Sequence, residues 1–352
     1  MASIIPTAWG QNRDSGIVSR GREHASGAGR SDGGHVGTSR SGSTACLENF
    51  GAPVPPNGYR WWYCDALSDD GAYGLAIIGF VGSVFSPYYK TARRKGPADP
   101  EQFCAINVGL YGRSGHYWTM TERGRRDLLR SDAHFSLGPS SMSWEHGTLV
   151  IRIDEIAVPW PSRVRGEIRV RPDIIVTEDI PLDTDARHLW RPVAPLARVS
   201  ARFDHPGLSW TGTGYHDMNW GHRPLEDDFR SWIWSRAAMK NSAHIVYDRV
   251  MRDGSQSGFT LRIAHDGTLH SLPMPAPHDL GKAFWRMPRP ARSDTPMSNL
   301  RSLKDAPFYT RSLYDTVIDG EPVTAFHESL SLDRFTHPIV QAMLPFKMPR
   351  RA

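Results

Sequence analysis

Cysteine is scarce in this chain, and long apolar runs are missing. The three cysteines among its 352 residues are Cys46, Cys64 and Cys104. An odd number of cysteines without C-x-x-C spacing predicts neither a disulfide framework nor a zinc site, and it favours a reducing, cytoplasmic environment. The longest apolar stretch, residues 75–85, is interrupted by two glycines and a serine and is too short to cross a bilayer. We therefore expect a strand there and no integral membrane segment.

The sequence also lacks the signals of several functional classes. No G-x-S-x-G elbow, P-loop or dinucleotide fingerprint is present, and the first residues lack the apolar core of a secretory signal. The spacing of His205, His216 and His222 matches no helix or hairpin pattern of metal ligands. The formal charge of +5 is modest for 352 residues, and basic residues cluster only at 93–95 and 347–351. These patterns predict no metal and no nucleic-acid partner.

Residues 1–45 differ in composition from the rest of the chain. Seventeen of them are glycine or serine, and apolar residues are sparse. Such a segment buries too little apolar surface to offset the entropy of ordering it. We predict a disordered tail without chemistry of its own.

From about residue 48 the pattern is that of β-structure. Apolar residues alternate with polar ones in the segments 148–154, 167–171 and 259–263. Between such segments lie turn dipeptides, mostly Asp-Gly, which are typical of hairpins because both residues tolerate positive φ. These dipeptides are Asp70-Gly71, His146-Gly147, Asp253-Gly254, Asp266-Gly267 and Asp319-Gly320. Only residues 122–130 and 338–344 show short helical patterns.

The predicted fold class is therefore all-β, with antiparallel strands, hairpins on both sides of residue 220 and few short helices. A closed barrel of the lipocalin type would leave a cavity for one apolar ligand, and the twelve tryptophans would suit such a cavity. A packed β-sandwich without a cavity is an alternative that the pattern leaves open.

The densest cluster of polar and aromatic residues is Gly212-Thr-Gly-Tyr-His-Asp-Met-Asn-Trp-Gly-His222. In an extended conformation Tyr215, Asp217 and Asn219 share one face of a strand. A carboxyl flanked by Tyr and Trp and facing an apolar cavity would be desolvated, which raises its pKa and suits it to protonate an alkene. A tight turn held together by the Asp217 and Asn219 side chains is the structural alternative.

A second cluster precedes this motif. His188 and Trp190 are two residues apart, so on a strand they share a face. They would combine a hydrogen-bonding group with a π-face that stabilises a cation. The alternative is an ordinary buried histidine beside a core tryptophan.

Three blocks, taken in this order, resemble the carotenoid 1,2-hydratases, also called hydroxyneurosporene synthases. They are Arg60-Trp-Trp-Tyr-Cys-Asp-Ala-Leu-Ser-Asp-Asp-Gly71, residues 74–88, and Gly214-Tyr-His-Asp-Met-Asn-Trp-Gly221. The resemblance extends from about residue 48 to the mid-330s. It implies hydration of the terminal C1=C2 bond of acyclic carotenoids such as neurosporene and lycopene, without an organic cofactor, in the pathway to spheroidene or spirilloxanthin of phototrophic bacteria.

Carried over residue by residue, the resemblance implies four catalytic positions. The proton donor would be Asp217, with Tyr215 as its partner and His188 and Trp190 as the His-x-Trp pair. In the implied mechanism Asp217 protonates C2, the rings of Trp190 and Tyr215 stabilise the cation at C1, and His188 or Asp217 accepts the proton of the attacking water. We name three further tryptophans as candidate substrate-binding residues, Trp220, Trp232 and Trp234.

The resemblance also implies two lipocalin-like β domains, which we place at residues 46–225 and 226–352. The expected partners are the carotenoid and water, and no obligate protein partner is inferred. The basic segment 347–351, next to apolar Met343, Leu344 and Phe346, is a candidate for peripheral contact with the cytoplasmic face of a membrane. A carotenoid-binding barrel without activity, and a polyene isomerase or cyclase on the same fold, are the rival functions.

Overall fold

Two antiparallel sheets dominate the computed structural model, which describes residues 48–112 and 115–351. The predicted disordered tail, residues 1–45, lies outside the described residues. The first sheet comprises β1 (Tyr59–Ser68), β2 (Gly74–Val81), β3 (Cys104–Gly112), β4 (Gly115–Arg123), β5 (Leu128–Ser131), β6 (His134–Leu137), β7 (Ser140–Glu145), β8 (Thr148–Ile156), β9 (Arg163–Pro172), β10 (Ile180–Pro181), β11 (His188–His205) and β12 (Leu208–Gly221).

The strands of the first sheet follow the order β4-β3-β2-β1-β12-β11-β9-β8-β7-β6-β5, with β10 paired to β11. The sheet curls into a nearly closed barrel, because strand β4 contacts β8 and strand β3 contacts β6. Closure of this kind leaves few unpaired strand edges. The predicted all-β, lipocalin-like fold class is confirmed.

The second sheet is formed by the later part of the chain in the order β16-β15-β14-β13-β21-β20-β19. Its strands are β13 (Phe229–Ala238), β14 (Ser242–Met251), β15 (Gln256–Ala264), β16 (Leu269–Leu272), β19 (Ser298–Asp305), β20 (Tyr309–Ile318) and β21 (Glu321–Ser331). A separate two-stranded ribbon joins β17 (Pro277–Asp279) to β18 (Pro290–Arg292).

The helices are short. They are α1 (Pro87–Arg93), α2 (Leu225–Asp228), α3 (Leu332–Phe335) and α4 (Pro338–Met343), with 3-10 turns at Pro100–Gln102, Arg125–Asp127 and Leu344–Phe346. The helical pattern predicted at 338–344 is confirmed by α4, which begins with proline in its first turn. Among the described residues, no helix has the length and apolar character needed to span a bilayer.

The helix predicted over residues 122–130 is wrong. The chain there ends strand β4, makes one 3-10 turn and enters strand β5. Two charged side chains of this segment are instead buried in ion pairs. Arg123 forms a bidentate ion pair with Glu155 at 2.9 Å, and Glu122 pairs with Arg350. Tertiary pairing has overridden the local helical pattern.

The turn dipeptides are confirmed as hairpin turns. The glycines at 71, 147, 254, 267 and 320 all have positive φ, between 65° and 88°. Each links two strands that pair with one another or closes the turn between them. Glycine fits there because it has no Cβ to oppose this conformation.

Strand alternation creates two separate buried layers. On β1, Trp62 and Cys64 point into the barrel, where they join a cluster that includes Ile77, Phe135 and Met142. Trp61 and Tyr63 point the other way, into an aromatic cluster shared with the second sheet. Strand β12 alternates in the same manner, since Met218 belongs to the barrel cluster and Tyr215 to the aromatic one. The barrel interior is thus filled, and the layer between the sheets holds the candidate site.

Candidate active site

Asp217 lies near the end of β12, at a point where this strand pairs with β1 on one side and β11 on the other. Its side chain is buried, with 3% exposure. Carboxyl oxygen Oδ2 accepts two hydrogen bonds, from the Trp190 indole N–H at 2.9 Å and from the Tyr215 hydroxyl at 2.7 Å. The other oxygen, Oδ1, is buried without a hydrogen-bond partner among the described residues. The predicted shared face of Tyr215, Asp217 and Asn219 is confirmed, and the turn alternative is not what forms.

The environment keeps this carboxyl partly protonated at neutral pH. Burial raises the pKa of Asp217 to about 7, although the hydrogen bonds from Trp190 and Tyr215 act in the opposite direction. The negative charge of Glu328 adds to the increase. Because Oδ2 already accepts two donors, the proton of the neutral acid belongs on Oδ1. In its neutral form, Asp217 therefore holds its proton on the oxygen that has no partner among the described residues.

A small cavity lies against Asp217. It has about 40 Å³ of space open to a water molecule. Its lining residues come from both sheets and are Trp61, Tyr63, Asp217, Asn219, Trp232, Trp234, Tyr247 and Glu328. Besides Asp217 Oδ1, the Trp234 indole nitrogen of this lining has no hydrogen-bond partner in the part of the chain that the structure describes. The Asn219 amide lies beside the Tyr247 hydroxyl. A buried polar group without a partner is costly, so the Asp217 and Trp234 atoms mark a place built to hold something polar.

A larger and mostly apolar pocket adjoins the small cavity. It has about 190 Å³ of such space and shares Trp61, Tyr63, Trp232 and Glu328 with the small cavity. Most of its remaining wall is apolar: Ile78, Phe80, Phe85, Trp118, Met120, Trp285, Phe308, Leu330, Val340, Met343, Leu344 and Met348. An apolar pocket that leads to a few convergent polar groups is the usual form of a small-molecule site.

His188 is close to this site but does not line either cavity. Its two ring nitrogens are occupied, Nε2 by the Asp228 carboxylate at 2.8 Å and Nδ1 by the Tyr59 hydroxyl at 2.9 Å. Burial lowers the pKa of His188, against the effect of Asp228. Tyr59 in turn stacks on Trp61, with ring centroids 4.9 Å apart. His188 therefore supports the cavity wall from behind.

The other predicted residues are placed as follows. Trp190 shares the His188 side of β11, as predicted, and packs edge-on against Tyr247, with ring centroids 5.1 Å apart. Trp190 and Tyr215 touch Asp217 but do not line the cavities. Trp232 and Trp234 both line the small cavity. Trp220 points to the opposite side of β12, where the guanidinium groups of Arg60 and Arg191 lie over its ring.

Five lining residues were not named as site residues by sequence reasoning. They are Trp61, Tyr63, Asn219, Tyr247 and Glu328. Alternation along β12 already placed Asn219 beside Asp217, and the aromatic block at 60–63 signalled the first two. Tyr247 and Glu328 lie on strands of the second sheet, and no local pattern marks them.

Comparisons with known proteins identify relatives of this chain. The sequence profile described as "Carotenoid hydratase CrtC" matches residues 77–352. The acyclic carotenoid 1,2-hydratase of Thiocapsa roseopersicina is 46% identical over 99% of this chain and 87% of its own length. The enzyme of the same name from Rubrivivax gelatinosus is 45% identical over 86% of this chain and 76% of its own.

A solved structure supports the fold alone. A putative AttH from Nitrosomonas europaea superposes with a TM-score of 0.55 at 15% identity, covering 78% of this chain and 92% of that one. A family profile that matches most of the chain and relatives above 40% identity together show which family the chain belongs to. The chain belongs to the carotenoid hydratase CrtC family of hydro-lyases.

Proposed function

We propose that this protein adds water to the terminal C1=C2 bond of acyclic carotenoids, such as neurosporene and lycopene, to give 1-hydroxy carotenoids. The observation that carries the proposal is Asp217, whose unpartnered Oδ1 faces a cavity walled by aromatic rings. Protonating an unactivated alkene requires a carboxylic acid that is neutral near the working pH. Burial of Asp217 supplies that condition by raising its pKa to about 7.

In the first step Asp217 Oδ1 gives its proton to C2, and a tertiary cation forms at C1. Rings that line the cavity surround the place where this charge develops, and those best placed are Trp61, Trp232 and Trp234. Each π-face in a desolvated site stabilises a cation by roughly 1–2 kcal/mol. Water then attacks C1. Because hydration changes no redox state, these steps require no organic cofactor.

The structure supports a different role for Trp190 and Tyr215 from the one that the resemblance implied. Both approach Asp217 with a donor atom, and neither ring lines the cavity. We propose that they position the carboxyl and direct its proton to Oδ1. His188, whose ring nitrogens are both engaged, fixes Tyr59 and through it Trp61.

The larger pocket is the proposed path for the polyene. Only one end of a long carotenoid must reach Asp217, and the apolar wall of this pocket leads from the surface to the shared residues Trp61 and Trp232. Trp285, Met343 and Lys347 also line the pocket. The neighbouring side chains of Phe284 and Phe346 are 87% and 76% exposed.

We propose that this apolar and basic region docks on a membrane surface. Exposed aromatic side chains next to Lys347 and Arg351 suit the boundary between acyl chains and anionic headgroups. A carotenoid would then pass from the bilayer into the pocket without crossing water.

Product analysis tests the proposed reaction. The protein is expressed in bacteria that accumulate lycopene and, separately, neurosporene, and the extracted pigments are examined by liquid chromatography and mass spectrometry. We expect a more polar pigment heavier by one water. A pigment of unchanged mass but altered retention would indicate an isomerase or cyclase. Bound but unaltered carotenoid from folded protein would indicate a carrier, and either result would overturn the proposal.

A further inference from the structure

Glu328 is the second carboxylate of the small cavity. It lies on β21, directly opposite Trp234 of β13 and Arg311 of β20 in the strand register. Its side chain is 14% exposed and lines both cavities. Asp217 and Glu328 thus approach the same small space from different sheets.

The two carboxyls have opposite surroundings. Glu328 Oε1 accepts a hydrogen bond from the Arg311 guanidinium at 2.8 Å. The Tyr63 hydroxyl lies 3.0 Å from the same oxygen and 2.9 Å from Asp65 Oδ2, and its single proton is shared between these two acceptors. Arg311 is a permanent cation and its side chain is 1% exposed, so Glu328 has a buried ion-pair partner. Asp217, in contrast, has neutral donors only. Carboxylates whose environments separate them in this way divide acid and base roles.

The polar atoms between the two carboxyls match the needs of one water molecule. The Trp234 indole is a donor without a partner among the described residues, and the Asn219 amide lies beside the Tyr247 hydroxyl. The space of about 40 Å³ exceeds the volume that a buried water needs. A water that accepts a hydrogen bond from the Trp234 indole keeps its second lone pair for the bond to C1 and offers its hydrogens to an acceptor. With Oε1 of Glu328 occupied, Oε2 is the acceptor oxygen.

We propose that Glu328 is the general base of the hydration, and that the Trp234 indole holds the attacking water for it. The proposal rests on the proposed function, because it assigns the second half of that reaction. Glu328 is the catalytic residue here, and Tyr63 and Arg311 are positioning residues that fix its carboxylate.

Every proton in the proposed reaction is accounted for. In the first half the Asp217 O–H bond breaks and the C2–H bond forms. In the second half the water oxygen bonds to C1, one water O–H bond breaks, and its proton passes to Glu328 Oε2. The enzyme is left with Asp217 ionised and Glu328 protonated. Transfer of that proton through water in the shared cavity restores both groups, and the net reaction is alkene plus water to alcohol.

Replacement of the carboxylate by an amide tests the assignment. Glu328→Gln keeps a carbonyl oxygen to accept from Tyr63 and Arg311 but removes the base. We expect kcat to fall at least ~100-fold, in the range of lost general-base catalysis. Glu155→Gln is the matched control, because Glu155 is also buried and paired with an arginine at 2.9 Å but lines neither cavity. Its turnover should stay within about threefold of wild type.

The conservative variant separates a base from a structural acceptor. Glu328→Asp keeps a carboxylate and should turn over faster than Glu328→Gln, whereas a role as hydrogen-bond acceptor alone predicts the reverse order. If Glu328→Gln does not melt cooperatively, the double variant Glu328→Gln/Arg311→Met removes the unpaired buried cation and carries the same expectation.

The assignment is overturned if Glu328→Gln hydrates within threefold of wild type while Asp217→Asn is inactive, since Asp217 would then serve as acid and base. Slower turnover by Glu328→Asp than by Glu328→Gln would also overturn it. Failure of the proposed function looks different, because the wild-type protein itself would then form no hydrated pigment.

Discussion

The two buried layers of this protein are built by the same strands and differ in almost everything else. Inside the barrel, aliphatic residues such as Ile77, Ile151 and Val170 have no exposed surface and belong to one apolar cluster. Between the sheets, tryptophans and tyrosines surround charged side chains and two adjoining cavities. We infer from this comparison that the barrel interior stabilises the fold, while the layer between its outer face and the second sheet holds the proposed active site.

Two consecutive residues illustrate the division. His216 points into the barrel region, where its Nε2 lies 2.5 Å from the Glu48 carboxylate. Burial lowers the pKa of His216, but the charge and hydrogen bond of Glu48, together with the Tyr63 carbonyl and Asp217, raise this pKa on balance. Asp217 points into the layer between the sheets and has no cationic partner within hydrogen-bond distance. The histidine is thus held in a structural pair with Glu48, whereas Asp217 is left available for the proposed proton transfer.

The largest expected effect concerns the barrel. Phe135→Ala removes a fully buried ring that packs on Trp62 and Phe50, and the cavity left behind should lower the free energy of unfolding by about 3–5 kcal/mol. Denaturant titration measures this loss. Turnover per folded molecule should be unchanged, because no catalytic group is touched. A lower turnover per folded molecule of Phe135→Ala would contradict the separation of structural and catalytic roles between the two layers.

The next effect concerns pH. Since the neutral form of Asp217 is the active one and its pKa is about 7, the protonated fraction falls tenfold for each pH unit above that value. We therefore expect kcat/KM to decline with this slope on the alkaline side. A pH–rate profile on detergent-solubilised carotenoid measures it. Activity that stays flat or rises to pH 9 would contradict the protonated acid.

A smaller effect separates hydrogen bonding from ring stacking. Tyr215→Phe keeps the ring but removes a donor that favours ionised Asp217, so the pKa of Asp217 should rise. The alkaline limb of the profile should move upward by about one pH unit, as the loss of about 1.5 kcal/mol implies. Trp190→Phe should act in the same direction. If the alkaline limb of the pH–rate profile does not move in either variant, these donors do not control the pKa of Asp217.

The smallest effect concerns the pocket mouth. Phe284→Ser and Phe346→Ser together should weaken binding to vesicles containing anionic lipid by at least threefold, because both exposed rings are removed. Trp160→Ser is the control, since Trp160 is 83% exposed and lines neither cavity. Sedimentation with vesicles measures the difference. Equal binding by both proteins would remove the membrane proposal.

Much of the fold was predictable because its signals are local. Alternation over 148–154 and 167–171 corresponds to β8 and β9, and each Asp-Gly or His-Gly pair forms a turn. The helix expected at 122–130 failed because its charges find partners, Glu155 and Arg350, that lie far away in sequence. A local pattern contains no information about such partners.

The candidate site was predictable only in part. Alternation placed Asp217 and Asn219 on a common face, and the same rule puts Trp220 on the opposite face, where it lies. The facing wall comes from β13, β14 and β21. Trp232 and Trp234 of β13 were among the candidates, whereas Glu328 of β21 lies more than a hundred residues after Asp217 and was not. Which strand faces which is decided by the packing of the two sheets, and no spacing in the sequence expresses it.

The most direct measurement is the turnover of lycopene or neurosporene by purified Asp217→Asn beside the wild type and Glu155→Gln. Asparagine is nearly isosteric and still accepts from Trp190 and Tyr215, but it has no proton to give. We predict that Asp217→Asn melts like the wild type, binds the carotenoid and forms no hydrated product, while Glu155→Gln remains active. Hydration by folded Asp217→Asn at the wild-type rate would contradict the account at its centre.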